Sequence, residues 1–440
     1  MNYETYLERT ILLFDRAVHT INCARSPREQ LKAGIVDMLR KPQRVHYARF
    51  PVKMDNGEVQ MFEGWRVQHS LDKAPTKGGL RLSPDVSLEE LSALAAWMTW
   101  KNVIAGTPFT GAKGGVVCDT KKLSAAELSR IIRRFSYEMS HVFGPLSDVP
   151  SPDMYTGARE MAWIYDTFTM MLAKNPVANP QAVVTGKPAA FGGLELRKEA
   201  TSLGGLYALV EALQRGEVNG INSLPGKTVA VQGFGKVGYA AARLLHEQGA
   251  RIVAVSDSRG GIYAPQGLDP ADVLQYKRSS KENTVVGYQN LEAVERDAIQ
   301  TVPCDIFIPA ASQDSLTSAN AEQVQAKIVL ELANGPTTLE AEELLAAKGV
   351  FVIPDFVANA GGVVVSYYEW QANLSYDRET TDDVYRNRLR QQMIQTYERA
   401  RETQVKYSKL CKHSISLREA GLIFGIEELH DHILERGIFP

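Results

Sequence analysis

The segment Thr228 to Gln232, short and β-rich, leads directly into Gly233-Phe234-Gly235-Lys236-Val237-Gly238, which opens a helix rich in alanine and leucine. No other stretch of this 440-residue chain constrains its fold as tightly. Strand, glycine turn and helix in that order make the first half of a βαβ unit. The glycines let a pyrophosphate approach the helix N-terminus, where amide dipoles favour an anion. Asp257 follows nineteen positions after Gly238 (257 − 238 = 19), beyond the next β-rich run, Arg251 to Ser256. That is the spacing of a carboxylate that hydrogen-bonds a ribose hydroxyl. Further short runs at Asp305 to Pro309, Lys327 to Glu331 and Val350 to Ile353 alternate with helical patterns. Such alternation predicts a mostly parallel, doubly wound α/β sheet of the Rossmann type that binds a dinucleotide. Gly226-Lys227-Thr228 imitates the end of a P-loop, but Ile221 stands where the first glycine is required and the triplet precedes its strand.

The choice of dinucleotide turns on Asp257 and its neighbours. A carboxylate there accepts from a ribose hydroxyl and repels a phosphate, which favours NAD. Ser256, Ser258 and Arg259 beside it suit the extra phosphate of NADP. The cofactor expected is NAD, with NADP the alternative.

The chain's length predicts two or three domains. A net charge of −2 gives no electrostatic case for nucleic acid or an anionic membrane as partner. No apolar run approaches the ~20 residues that span a bilayer, and the N-terminal residues carry an acid early and no apolar stretch, unlike a signal peptide. Cys23, Cys118, Cys304 and Cys411 lie far apart with no CxxC pair. No disulfide framework and no metal site are expected, and a cytoplasmic location fits. His430 and His432 read as a polar helix face.

The first third of the chain reads as mixed α and β. Alternating segments from Arg44 to Met54 and from Glu58 to His69 flank the turn Asp55-Asn56-Gly57. Two capping boxes, Ser87 to Glu90 and Ser124 to Glu127, open helices. The first carries Leu88, Leu91, Leu94, Ala95 and Met98 and has Lys101 near its end. A third helix follows Asp153, through Ala162 and Phe168. Trp97, Trp100 and Trp163 are expected in the core. Lys113 stands in Gly111-Ala112-Lys113-Gly114-Gly115, twelve positions after Lys101, and Lys77 opens Lys77-Gly78-Gly79-Leu80-Arg81. Glycine neighbours leave little bulk to shield the Lys113 amine. Three lysines converging on one cleft would bind carboxylates, and their mutual repulsion would push one amine toward neutrality near pH 7. The prolines of Asp148 to Asp153 stiffen a loop that presents Asp153 as a proton carrier.

Beyond Phe356 the chain turns helical, with an Arg- and Glu-rich segment from Asp377 to Thr403 and a last helix ending near Gly437. The expected division is a mixed α/β substrate-binding and oligomerisation domain at 1–190 and a Rossmann-like dinucleotide-binding domain at 191–365. A C-terminal helical segment, 366–440, packs back onto the N-terminal domain.

From about Phe62 onward the chain resembles the glutamate/leucine/phenylalanine/valine dehydrogenase superfamily, most of all its glutamate-acting members. The resemblance rests on the two lysine motifs above, on Met98-Thr99-Trp100-Lys101 and on Thr185-Gly186-Lys187-Pro188. It continues through Ala333-Asn334-Gly335-Pro336-Thr337-Thr338, Ala358-Asn359-Ala360-Gly361-Gly362 and Ser366-Tyr367-Tyr368-Glu369-Trp370. It implies that Lys101 holds the substrate α-carboxylate, that Lys113 is the catalytic lysine and that Asp153 passes protons. Lys77 and Ser366 would grip the side-chain carboxylate, while Thr201 and Asn334 would lie near the nicotinamide and its ribose. The implied reaction is reversible deamination of L-glutamate to 2-oxoglutarate and ammonia. The implied assembly is a homohexamer whose interdomain cleft closes on substrate. Members acting on aliphatic or aromatic amino acids have an apolar residue at the position of Lys77, since an unpaired buried ammonium is costly.

The chain departs from this pattern at Leu194, where serine is usual, and at Leu196, Ser202 and Leu332, where glycine is usual. These departures sustain alternatives: a catalytically weak regulatory subunit in a hetero-oligomer with a paralogous chain, a leucine or branched-chain amino-acid dehydrogenase, and a dinucleotide sensor without turnover. The sensor leaves the three lysines unexplained.

Overall fold

Two antiparallel ladders and two parallel ones build the first sheet, in the order β1-β2-β4-β3-β5. Its strands are β1 (Arg44–Lys53), β2 (Val59–Gln68), β3 (Thr76–Ser83), β4 (Thr110–Val117) and β5 (Asp148–Pro152). A computed structural model of the chain describes residues 6–171, 179–218 and 220–438. The expected hairpin forms around Gly57, and β1 and β2 pair in register from Arg44↔Gln68 to Lys53↔Val59. Strand β3 then pairs in parallel with both β4 and β5. The core on one side of this sheet is built from Phe50, Phe62, Leu80, Val116, Ile132 and Phe135 with their neighbours.

Strand β5 corrects the reading of Asp148 to Asp153 as a stiff loop. It is the sheet's edge strand, where proline is tolerated because no partner needs its missing N–H. The helix Leu88–Ile104 begins at Ser87, whose side chain accepts from the Glu90 amide. Its capping box is only half formed, because the Glu90 carboxylate pairs with Arg81 instead. The box at Ser124 is complete. Apart from Met98, the helix is buried from Leu91 to Ile104, so Lys101 is carried into the interior. Trp97 and Trp100 are core residues, and Trp163 is partly buried against the core.

The second sheet runs β12-β11-β10-β6-β7-β8-β9. Its strands are β6 (Thr228–Gln232), β7 (Arg251–Asp257), β8 (Gly260–Leu268), β9 (Glu292–Val294), β10 (Ile306–Pro309), β11 (Ile328–Leu330) and β12 (Phe351–Ile353). Five strands are mutually parallel, while β8 and β9 add an antiparallel edge that the alternation pattern did not disclose. Strand order reverses between β6 and β10, which places the ligand crevice of such a sheet beside the turn that follows Gln232.

The chain clusters into two compact units. One comprises Met1–Arg197, Val363–Tyr385 and Glu402–Pro440; the other comprises Lys198–Gly362 and Arg386–Arg401. The first boundary therefore falls after Arg197, and residues 386–401 of the C-terminal segment group with the dinucleotide-type sheet. The long helix Asp382–Cys411 carries this exchange. Among the described residues, no helix is long and apolar enough to cross a membrane, and no group of three metal-ligating side chains forms.

Candidate active site

In the first unit, β4 and the end of β5 bring Lys113 and Asp153 together, with Lys113 Nζ 3.0 Å from Asp153 Oδ2. A Cβ on Gly79 of β3 would sit 2.6 Å from the Asp153 Cβ and 3.4 Å from the Lys113 amine. Glycine at 79 thus makes the room in which the pair forms. Arg81 Nε donates to the same Asp153 oxygen at 2.9 Å, and Arg81 also pairs with Glu90. Thr156 accepts from the Asp153 amide at 2.8 Å and fixes the turn.

Lys113 is buried, contrary to the open amine expected from its glycine neighbours. Those glycines serve packing. A Cβ on Gly111 would lie 2.1 Å from the Ala95 carbonyl and 2.3 Å from the Thr99 amide, so glycine there lets the helix seat directly on β4. Burial lowers the Lys113 pKa, opposed by Asp153 and reinforced by the Arg81 charge. For Asp153, burial alone would raise the carboxyl, but Lys113 and Arg81 outweigh it and hold it at about 2. The repelling cation beside Lys113 is thus an arginine, not a second lysine.

Lys77, on β3, is buried and donates to Thr185 Oγ1 at 2.7 Å. Arg197 reaches the same hydroxyl at 3.4 Å and donates to Ser366 Oγ. Burial and then the Arg197 charge drive the Lys77 pKa well below the ordinary lysine value. Lys77, Ser366, Thr185 and Arg197 therefore form one polar cluster within the first unit. Sequence reasoning omitted Arg197, which sits in the stretch that departs from the family, and treated Thr185 only as part of a motif. Behind the cluster, Arg66 of β2 reaches across Gly114 of β4 to Asp148 of β5, with Nε 3.1 Å from both carboxylate oxygens. Both side chains are fully buried. Lys101 is buried on its helix.

In the second unit, Gly233 adopts a positive φ of 92°, and a Cβ on it would meet Ala311 at 2.8 Å. Gly238 is more constrained still, since its Cβ would lie 1.8 Å from the Gly233 carbonyl oxygen. Gly235 faces open space and precedes the helix Lys236–Glu247, whose first turn no side chain caps. Phe234 is buried beneath the turn, Lys236 is exposed and Val237 is partly buried. At the ends of nearby segments the buried side-chain oxygens of Gln232, Thr337 and Asn359 lack hydrogen-bond partners. An uncapped helix start, an open glycine, two orphaned amide oxygens and one orphaned hydroxyl fit a polar ligand such as a dinucleotide. Asn334 accepts from Asn359 Nδ2 at 3.1 Å, and a Cβ on Gly362 would lie 3.0 Å from Thr201 Oγ1.

Asp257 is more heavily engaged than its expected role allows. Its Oδ1 accepts from the Arg259 amide and Thr284 Oγ1, both at 3.0 Å. Its Oδ2 accepts from Lys277 Nζ at 2.8 Å and the Val285 amide at 2.9 Å. Four donors fill the acceptor directions of a carboxylate.

The departures near the expected nicotinamide are absorbed into packing. Ser202 donates to the Val237 carbonyl at 2.8 Å, tying the start of the helix Ala200–Gln214 to that of Lys236–Glu247. Leu332 is buried, and a Cβ on Gly205 would lie 2.5 Å from its Cδ2, so glycine at 205 accommodates leucine at 332. Leu196 is buried and Leu194 partly so.

A Rossmann-type sheet with a glycine turn, joined in one chain to a unit with buried, partnered lysines, fits a dinucleotide-dependent oxidoreductase. Two family models match: Glutamate/Leucine/Phenylalanine/Valine dehydrogenase over residues 192–437, and the Glu/Leu/Phe/Val dehydrogenase dimerisation domain over 42–170. The chain belongs to this family, whose members are dehydrogenases acting on CH–NH2 donors. It is 43% identical to a glutamate dehydrogenase of Thermotoga maritima, across 97% of this chain and 99% of that one. It is 42% identical to a glutamate dehydrogenase of Aeropyrum pernix, across 92% and 93%. The structure resembles the hetero-hexameric glutamate dehydrogenase of Thermus thermophilus in its leucine-bound form, with TM-score 0.88 and 34% identity over 100% and 99% of the chains. That of Peptoniphilus asaccharolyticus follows at TM-score 0.82 and 31% identity, over 99% of this chain and all of that one.

Proposed function

We propose that the chain catalyses the reversible oxidative deamination of L-glutamate to 2-oxoglutarate and ammonia, with a nicotinamide dinucleotide as the redox partner. One observation carries the choice of substrate: the buried Lys77 ammonium shares Thr185 with Arg197, beside Ser366. Such a cluster is costly in an aliphatic pocket and is compensated by a second carboxylate. The leucine and branched-chain alternative has no use for it.

Lys101 holds the α-carboxylate. Lys113, its amine destabilised as a cation by burial, orients water toward the α-carbon and stabilises charge developing there. Asp153 exchanges protons with the amino group. Gly233, Phe234, Gly235, Lys236, Val237 and Gly238, together with Thr201 and Asn334, would hold a dinucleotide, which when bound would supply the hydride acceptor. After the α C–H bond breaks, water adds across the substrate C=N bond. The C–N bond then breaks, and ammonia leaves with a proton delivered through Asp153.

Lys277 and two backbone amides occupy Asp257, which removes the bare negative charge that would exclude a phosphate. Both NAD and NADP serve this chain, with NAD the physiological choice. The active assembly is a cytoplasmic hexamer of identical subunits.

Initial rates with 2-oxoglutarate and with 4-methyl-2-oxopentanoate, for the native chain and Lys77→Leu, test the assignment. The native chain prefers 2-oxoglutarate by at least about 100-fold, and the variant loses 2-oxoglutarate kcat/KM by on the order of 10–10², the value of one charge-assisted contact. Unchanged kinetics in Lys77→Leu would contradict it.

A further inference from the structure

The helix Gly361–Ser375 places Ser366, Glu369 and Asn373 at spacings of three and four, on one face. Ser366 meets Arg197. Glu369, fully buried, accepts from the Gly186 amide with both oxygens at 2.9 Å, and from Lys187 Nζ at 2.9 Å. Lys187 is equally enclosed and donates also to the Val184 carbonyl at 2.9 Å. Asn373 donates to the Gly192 carbonyl at 2.9 Å. The helix therefore clamps both ends of the segment that carries Thr185 and leads to Arg197.

A buried ion pair is a poor investment for stability alone, since apolar residues of equal volume often do as well. Its place matters more. Lys77, Lys187 and Arg197 bring three cations to this corner of the first unit. The acids facing Lys77 are Glu369 and Asp148, and Asp148 is already committed to Arg66.

We propose that Glu369 is a positioning residue for the distal carboxylate of the substrate: paired with Lys187, it holds the Thr185 turn on Lys77 and sets a carboxylate among the cations of this corner. Nothing in this role requires Glu369 to touch substrate. It rests on the assignment of Lys77, Thr185, Arg197 and Ser366 as the distal-carboxylate pocket. Burial and Arg197 both lower the Lys77 pKa, Arg66 lowers it further, and Glu369 opposes them. Since Lys77 must be protonated to hold a carboxylate, 1/KM falls as pH rises through its pKa. Removing Glu369 moves that fall to lower pH. Removing Lys187 leaves Glu369 more available to Lys77 and moves it to higher pH.

The test compares native enzyme, Glu369→Gln, Glu369→Asp and Lys187→Met across pH 6 to 10, with L-glutamate and with norvaline, the same carbon chain without the distal carboxylate. In Glu369→Gln the glutamate KM rises at least tenfold with kcat changed less than threefold. Loss of kcat/KM on glutamate exceeds that on norvaline by tenfold or more. The KM–pH profiles of Glu369→Gln and Lys187→Met shift in opposite directions, and Glu369→Asp restores the native profile in part. Equal losses on the two substrates, or superimposable pH profiles, would overturn the role of Glu369. If Glu369→Gln does not fold, Lys187→Met and Glu369→Asp still decide through their profiles. A native chain that turns over no glutamate would instead overturn the pocket assignment itself.

Discussion

Lys113 shows how a single side chain is tuned by what surrounds it. Enclosure makes the ammonium costly, Asp153 makes it tolerable, and Arg81 keeps Asp153 from being spent on Lys113 alone. Arginine at 113 keeps the charge but cannot release a proton near neutral pH. Lys113→Arg therefore lowers kcat by about 10²–10⁴ with a smaller change in KM, as steady-state rates will show. Asp153 also couples stability to pH. Its folded pKa, about 2, lies below the ordinary 3.8, so its contribution is complete above about pH 4 and is lost as pH falls through about 2. The contribution is about 2 kcal/mol. Thermal melts of native chain and Asp153→Asn should converge between pH 4 and 2. A difference independent of pH would refute the linkage.

Elements were unevenly legible in the sequence. The hairpin around Gly57, the Ser87 and Ser124 helix starts and the run from Thr228 into the glycine turn carry strong local signals, and the structure has all of them. Strands β3 and β4 do not. Lys77-Gly78-Gly79 and Gly111-Ala112-Lys113-Gly114-Gly115 are poor in β-branched residues, because glycine is needed for close approach of helix and neighbouring strand, and that need is tertiary. Lys77 and Lys113 stood out because each sits in an unusual local setting among glycines, but their neighbours in the fold, Arg197 and Arg81, are arginines rather than each other. Arg197 and Glu369 were not legible, because charged residues on ordinary helical or turn segments reveal their burial only in the fold. Leu332 likewise read as a defect near the nicotinamide, whereas Gly205 accommodates it. Leu332→Ala opens a cavity and costs about 2–4 kcal/mol, and Gly205→Ala crowds the site at about 1–2 kcal/mol. In urea titrations the double variant should lose less than the sum of the two. Strict additivity would show that the two positions are independent.

At the scale of the whole molecule, the chain builds two units in alternation. The buried, partnered lysines belong to one, and the glycine turn and its orphaned polar atoms belong to the other. Because Lys277 neutralises Asp257, kcat/KM with NADP should fall within roughly tenfold of that with NAD, and Lys277→Ala should widen the gap in favour of NAD. The retained lysines and Asp153, with Leu196, Ser202 and Leu332 absorbed in packing, argue against a subunit that depends on a paralogue for turnover. The most direct measurement is the absorbance of NADH in a mixture of the purified chain alone, 2-oxoglutarate and ammonium. Saturable oxidation of NADH that needs both substrates and is abolished in Lys113→Ala is expected. Oxidation that appears only when a second, paralogous chain is added, and that survives Lys113→Ala, would contradict it.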